Sequence, residues 1–486
     1  MVEHRPPREQ RFERHMSDAE ALMWNIEKDP WLNPSGGSLT ILDRPLDFEH
    51  FRAQIAAAVA DVPRLRERVV PGIGRFRPPV WRPDPEFELD YHVRPVALPR
   101  PGAQRQLLDL VGTIYQDPYD RTRPLWMFYV IEGLEGGGGA LVWKIHHTVA
   151  DGTGAARLAE AYVQPTRQAP DPPTVDLDAI IAADLATEQL ASAGAPQRLV
   201  GTVTGSVTHT ARRQAGIARR MVGELGMWGA DPGRARDSAT GMVRTARQVG
   251  EQLFGGDDEK GGGSPLWGQR SRHRHLELLS FPLDAALAAA KRLGGSLNDW
   301  FVTGAVNGAV RYHDARGVPL TSLRTSFVVS TRSDRAIGGN SFTPSRLSVP
   351  AGPMDAADRF AEVSARMQAK RQGVKGQGML AGIAGVLNLL PTSVVAGFAR
   401  SQGAKQDFAT SNLRGSKRPM YISGARVEGS YPFGPLAGTA FNITGMSYAG
   451  AFEIGLFVDP VAVEDPAELR DDIGTAFQEL ISIGTD

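Results

Sequence analysis

The stretch that decides the fold is KIHHTVADGTGAARLAE, Lys144 to Glu160. Two adjacent histidines, His146 and His147, close an apolar run, and Asp151-Gly152 follows before an alanine-rich run begins. Successive residues of a strand point to opposite faces. One imidazole therefore faces a cavity while the other packs inside, and a metal held by both is disfavoured. Asp151 lies across a tight turn from His147. It could hydrogen-bond back to the turn or pair with an arginine, and so hold the imidazole in place. Gly152 lets the chain enter the helix with no Cβ in the way. A helix N-terminus nearby disfavours the imidazolium form. A neutral imidazole held this way suits removal of a proton from a hydroxyl or an amine.

Working outward, the histidines end one arm of a hairpin. In RPLWMFYVIEGLEGGGGALVWKIHH the runs Leu125–Ile131 and Ala140–Ile145 flank the glycines Gly136–Gly139, which predicts two strands and a glycine loop. Thr153–Val163 reads as a helix. Upstream, Glu20–Ile26 and Phe48–Val62 are helical by spacing, with Ile55, Ala58, Val59 and Val62 on one face. Pro63 ends the second helix, and GGSLTILD between them reads as a strand. From His275 a second unit begins. Strands are expected at HLELLSFPL, TSFVVSTR, PMYISGARVEG, TAFNITGMSYAG and AFEIGLFVDP. Helices are expected at Asp284–Leu293, Asn298–Tyr312, Asp355–Lys370 and Pro466–Ile483. Strands and helices mix in both halves, so the class is mixed α/β (α+β) in two lobes. The expected division is a first lobe at 1–164, an interdomain region at 165–274 and a second lobe at 275–486.

Bulk composition narrows the function. The 486 residues exceed one ordinary domain, and 42% are hydrophobic, enough for buried cores. The formal net charge is zero, which argues against a nucleic-acid partner. There is no cysteine, so disulfides, cysteine-ligated zinc, iron–sulfur clusters and a thiol nucleophile are excluded. The N-terminus MVEHRPPREQRFERHM lacks the apolar core of a secretory signal, and a cytoplasmic location is expected. Two segments bear on membranes. Met379–Ala399 approaches spanning length but carries Asn388, Pro391, Thr392 and Ser393. It reads as two short buried helices broken at Pro391, with peripheral membrane contact as the competitor. Arg198–Phe254 is arginine-rich with helical spacing. It reads as a solvated helical hairpin or as a basic segment lying on an anionic surface. No G-x-S-x-G elbow, P-loop or G-x-G-x-x-G fingerprint is present. A base without a protein nucleophile suggests direct transfer between two bound substrates.

At this point the residues resemble a known family. His146-His147-Thr148-Val149-Ala150-Asp151-Gly152 matches the HHxxxDG motif of coenzyme A-dependent acyltransferases with the chloramphenicol acetyltransferase-like fold. Within that group the chain is similar to the bacterial wax ester synthase/diacylglycerol acyltransferases. Pro124-Leu125-Trp126 resembles their PLW motif and Asn298-Asp299 their ND motif. VVSTR with Gly339-Asn340, Ser411-Asn412, PMYISGARVEG and FNITGMSYAG resemble their second-domain blocks. The resemblance covers residues 15–165 and 275–480. Ser17-Asp18-Ala19-Glu20 departs from the family's serine-proline-leucine-aspartate pattern. Leu413-Arg414-Gly415 stands where valine-proline-glycine is usual.

The resemblance implies two chloramphenicol acetyltransferase-like lobes with the active-site channel between them. It implies no cofactor and no metal, long-chain acyl-CoA as donor, and diacylglycerol, a fatty alcohol or both as acceptor. His147 would be the base, with His146, Asp151 and Gly152 shaping its turn. Leu125 and Trp126 would line or support the acyl channel, or simply pack in the core. Asn298 could donate to the developing oxyanion or cap its helix, the cap being preferred. Asp299 would complement the helix dipole, and Arg332 would pair with Asp151 to tie the lobes together. A peripheral position on the membrane or on lipid droplets is compatible with these substrates. Two other readings stay open: a condensation-type enzyme fed by carrier proteins, and a non-catalytic lipid-surface protein.

Overall fold

The computed structural model describes residues 13–72, 78–149, 158–168, 170–193, 263–330, 342–373, 387–388 and 390–483. In the first half the chain forms helix α1 (Asp18–Ile26), strand β1 (Ser35–Leu42), α2 (Phe48–Asp61), β2 (Glu67–Val70), β3 (Val80–Pro83) and α3 (Leu89–His92). It continues with β4 (Val93–Ala97), α4 (Gln104–Gln116), β5 (Trp126–Glu132), β6 (Gly139–His146), β7 (Val163–Gln164) and α5 (Leu177–Ala193). The second half gives β8 (His275–Pro282), α6 (Leu283–Arg292), α7 (Leu297–Asp314), β9 (Ser322–Ser330), β10 (Phe342–Pro350), α8 (Ala356–Gly373) and α9 (Thr392–Ala404). It closes with β11 (Phe408–Arg414), β12 (Tyr421–Ile422), β13 (Ala425–Phe433), β14 (Phe441–Tyr448), β15 (Ala451–Val458) and α10 (Pro466–Ser482).

Local chemistry explains the boundaries. Ser17 caps α1: its hydroxyl accepts from the Glu20 N–H, and the Glu20 carboxylate accepts from the Ser17 N–H at 2.8 Å. The glutamate that departs from the family pattern thus closes a capping box, which needs a side chain long enough to reach back. Pro63 follows the C-cap of α2. The hairpin forms as expected, with Trp126 opposite Ile145 and Ile131 opposite Ala140.

The strands build a seven-stranded sheet, in the order β4-β5-β6-β1-β13-β12-β7, a six-stranded sheet, in the order β10-β9-β11-β14-β15-β8, and a two-stranded sheet of β2 and β3. The fold is therefore mixed α/β in two lobes, as expected. The lobes are not contiguous in sequence, however. β13 pairs antiparallel with β1, Gly37 opposite Phe433 and Thr40 opposite Ser430, so residues from the far end of the chain complete the first sheet. The expected interdomain region is also partly built into the lobes. Trp267 is buried in the core of the second lobe and Ile181 of α5 in that of the first. Arg198–Phe254 lies outside the described residues.

The first sheet separates two apolar clusters. Leu42 of β1 and Leu141, Trp143 and Ile145 of β6 face α2. Leu39, Ala140 and Val142 face α4, which is wedged between this sheet and Leu276 and Phe457 of the second. Near the break expected at Pro391, Leu387, Leu390 and Val395 pack on Leu22 and Ile26 of α1, and α9 starts at Thr392. The rest of Met379–Leu390 lies largely outside the described residues. Among the described residues no helix is long and apolar enough to cross a membrane.

Candidate active site

β6 delivers the histidine pair to the edge of the first sheet. The His146 N–H donates to Leu125 O at 3.0 Å, and the His147 N–H reaches Pro34 O at 3.4 Å. The two rings then part. His146 is wholly buried, and its Nδ1 accepts from the Thr148 N–H at 3.1 Å and meets Thr148 Oγ1 at 2.6 Å. That leaves the Nε2–H to donate to the Glu27 carboxylate, 3.0 Å away. His147 is half-buried on the other face. A Cβ built on Gly36 of β1 would lie 3.5 Å from His147 Nε2 and 3.0 Å from Phe433 O. A residue without a Cβ thus stands where the base meets the seam between β1 and β13.

Beneath the pair is a buried charged cluster. Glu27 ends α1 and also receives Arg121 at 3.3 Å. Burial alone would raise its carboxyl. The hydrogen bond from His146 and the charges of Arg121 and Lys144 outweigh that and hold it below the usual range. Lys144 lies on the same face of β6 as His146 and is buried. Its Nζ caps the C-terminal end of α4 through Ile114 O at 2.9 Å and Asp117 O. Burial lowers its pKa to about 8. The Arg121 guanidinium covers the Trp24 ring at 3.4 Å and donates to Trp24 O. Anchoring His146 thus also fixes α1 on the strand that carries His147.

The other expected site residues fall in different places. Leu125 and Trp126 are buried in the core rather than lining an open channel. The Trp126 indole N–H donates to Leu65 O at 2.7 Å, and its ring stacks on His92 at 4.4 Å. Pro124 leads into β5 directly before them. Asn298 does not cap α7. Ser296 is the cap, and Asp299 closes its capping box, accepting from the Ser296 N–H at 2.8 Å and hydroxyl at 2.7 Å. A serine hydroxyl two residues earlier reaches the free N–H groups that Asn298, already inside the helix, does not. Asp299 also lies 3.6 Å from Arg371. Asp151, Gly152 and Arg332 lie outside the described residues.

Sequence reasoning missed Glu27, Lys144, Thr148 and Gly36. A lysine inside an otherwise apolar strand was the one available signal. Glu27 carries none, because its partner stands 119 residues away.

Comparison with known proteins agrees with this architecture. The wax ester synthase/diacylglycerol acyltransferase of Marinobacter aquaeolei VT8 superposes with a TM-score of 0.62 at 20% identity, covering 96% of this chain and 98% of that one. The first condensation domain of the calcium-dependent antibiotic synthetase gives 0.55 at 18% identity, covering 98% and 97%. Both likenesses are of fold. In sequence, residues 16–301 match the wax ester synthase/diacylglycerol acyltransferase catalytic domain, and residues 338–481 match the C-terminal domain of that family. A Mycobacterium tuberculosis protein bearing the name diacylglycerol O-acyltransferase is 29% identical over 479 residues, 97% of this chain and 93% of its own. A second from that organism is 29% identical over 433 residues, 87% and 86% of the two chains. The fold and family define an acyl-CoA-dependent acyltransferase. The chain belongs to the wax ester synthase/diacylglycerol acyltransferase family.

Proposed function

We propose that the protein moves a long-chain acyl group from acyl-CoA to the hydroxyl of diacylglycerol, of a fatty alcohol, or of both. His147 acts as general base in a direct transfer. Its Nε2 takes the acceptor's hydroxyl proton as the oxygen attacks the thioester carbonyl. The tetrahedral intermediate then expels coenzyme A as thiolate, which recovers the proton from the imidazolium. The observation that carries this reading is the position of His147 Nε2 at the β1–β13 seam, 3.5 Å from where a Cβ on Gly36 would lie and where the two halves of the chain meet. His146 supports it by its engagement with Glu27 and Thr148, which fixes the strand end that carries the base. Acceptors of this kind are insoluble in water, so we infer that the enzyme works at a membrane or lipid-droplet surface.

The test is release of free thiol from palmitoyl-CoA with dioleoylglycerol, with hexadecanol and with no acceptor. Acceptor-dependent release is expected. General-base help of this kind is worth about 10²–10⁴-fold, so His147→Ala should lose that much rate while keeping the wild-type melting profile. A variant turning over near the wild-type rate would overturn the assignment.

A further inference from the structure

The face of the first sheet that carries His147 is apolar along β5 and β6, while β1 and β13 set the hydroxyls of Ser38, Thr40 and Ser430 into it. Gly36, Ser38 and Thr40 of β1 stand opposite Ile145, Trp143 and Leu141 of β6. On the other side Ser38 and Thr40 stand opposite Pro432 and Ser430 of β13. Leu42, Leu141, Trp143 and Ile145 on this face are all buried. Ser38 and Ser430 are half-buried, and Thr40 is only 7% exposed. Hydroxyls on such a face are unfavourable unless something satisfies them. Thr40 Oγ1 and Ser430 Oγ meet at 3.3 Å, long for a pair of hydroxyls, whose usual separation is about 2.7–2.8 Å. Ser38 has no side-chain hydrogen bond among the described residues. Gly36, beside His147 Nε2, heads this column.

The spacing has a chemical counterpart. Strand residues on one face recur about every 7 Å. Ser38 is therefore about 7 Å along β1 from the glycine beside the base, and the Thr40–Ser430 pair about 13 Å. In a diacylglycerol the free hydroxyl is separated from its two ester carbonyl oxygens by five and six bonds. Six bonds span about 7 Å, as two extended residues of backbone do. Adding a hydrogen bond of about 2.8 Å at each end gives a reach of about 12–13 Å. A fatty alcohol offers nothing polar at either distance.

We infer that Ser38, Thr40 and Ser430 are specificity-determining residues that donate hydrogen bonds to the ester carbonyls of a diacyl acceptor whose free hydroxyl lies at His147. This rests on the acyl-transfer reading above and names the acceptor class that this site favours. The hydroxyls take no part in the chemistry. They hold the glycerol backbone along the β1–β13 seam so that its third oxygen reaches the base.

The test uses the full-length enzyme with palmitoyl-CoA and three acceptors in mixed micelles: 1,2-dioleoylglycerol, its diether analogue 1,2-di-O-oleylglycerol, and hexadecanol. Diester and diether share the hydroxyl and the chains and differ in the two carbonyls. An ordinary hydrogen bond is worth about fivefold, so wild-type kcat/KM should favour the diester by at least about tenfold. Ser38→Ala, Thr40→Val and Ser430→Ala should each narrow that ratio several-fold. Thr40→Ser, which keeps the hydroxyl, should preserve it. Equal turnover of diester and diether by the wild type, with hexadecanol also accepted, overturns this assignment and leaves the acyl-transfer reading standing. A wild-type preference that the variants leave unchanged overturns it too. No thiol release with any of the three acceptors overturns both readings.

Discussion

Nε2 of His146 lies 3.0 Å from a carboxylate oxygen of Glu27, the residue that ends α1. The contact joins the chain's first helix to the strand bearing the base, and both side chains are almost fully buried. Glu27 also pairs with Arg121 at 3.3 Å, and removing one member of a buried charged pair leaves the other without compensation, at a cost of about 3–5 kcal/mol. Glu27→Ala should therefore lower the unfolding free energy by roughly that amount in a denaturant titration. Arg121 and Lys144 would lose the same counter-charge. A change below about 1 kcal/mol would place the cluster with ordinary surface ion pairs.

Gly36 should tolerate no side chain without loss of turnover. A Cβ there would stand 3.0 Å from Phe433 O and 3.5 Å from the His147 ring. The strand or the imidazole must shift, and displacement on the scale of 1 Å can cost about a hundredfold in rate. Gly36→Ala is expected to lower kcat by about tenfold to a hundredfold, and Gly36→Val by more, with the melting temperature falling only modestly. Steady-state thiol release beside a thermal melt separates the two effects.

Lys144 makes stability depend on alkaline pH. Its folded pKa is about 8 against 10.5 for an ordinary lysine, because burial penalises the ammonium. Between those values the unfolded chain holds a proton that the native protein has released. Stability therefore rises with pH across that window, by up to about 1.4 kcal/mol per pH unit from this group. Plotted as the difference between wild type and Lys144→Met, unfolding free energies should climb from about pH 8 upward. A flat difference would mean that the Ile114 and Asp117 carbonyls hold the ammonium charged.

His92 acts at the acid end. Burial between Phe87 and Trp126 lowers its pKa from 6.5 to about 4, and its Nδ1 meets Trp126 O at 2.8 Å. Below pH 6.5 the unfolded chain takes up a proton that the native protein refuses. This contribution is fully present above 6.5 and is lost as pH falls toward 4. His92→Phe should shed that part of the acid slope. The comparison is made by urea titration at pH 7, 6, 5 and 4.

Much of the architecture was readable from local pattern. Alternating apolar residues around Gly136–Gly139 and the helical spacing of Phe48–Val62 and Pro466–Ile483 mark elements whose determinants lie within a few residues. The separation of the two imidazoles followed from strand geometry alone. Gln104–Gln116 also had a legible signal, since Leu107, Leu108, Val111, Ile114 and Tyr115 share one face, but it lies outside the runs read from the histidines. The placement of Ala425–Phe433 was not legible. An alternating strand declares its buried face and not its neighbour, and the partner here is almost four hundred residues away. Glu27 was hidden for the same reason, whereas the capping role of Ser296 was hidden locally, because two favourable cap residues, Ser296 and Asn298, stand within one turn.

The exchange of β13 into the first sheet has a consequence for dissecting the protein. A fragment ending before β13 would leave β1 as a bare edge, with Ser35–Leu42 presenting unpaired amides and carbonyls beside apolar side chains. Edges of that kind recruit other chains. Such a fragment is therefore not an autonomous half-enzyme but a receptor for a missing strand. A peptide spanning 421–433, supplied separately, is its natural complement. Donor-strand complementation, rather than truncation, is the way to take this molecule apart and have the pieces stay folded.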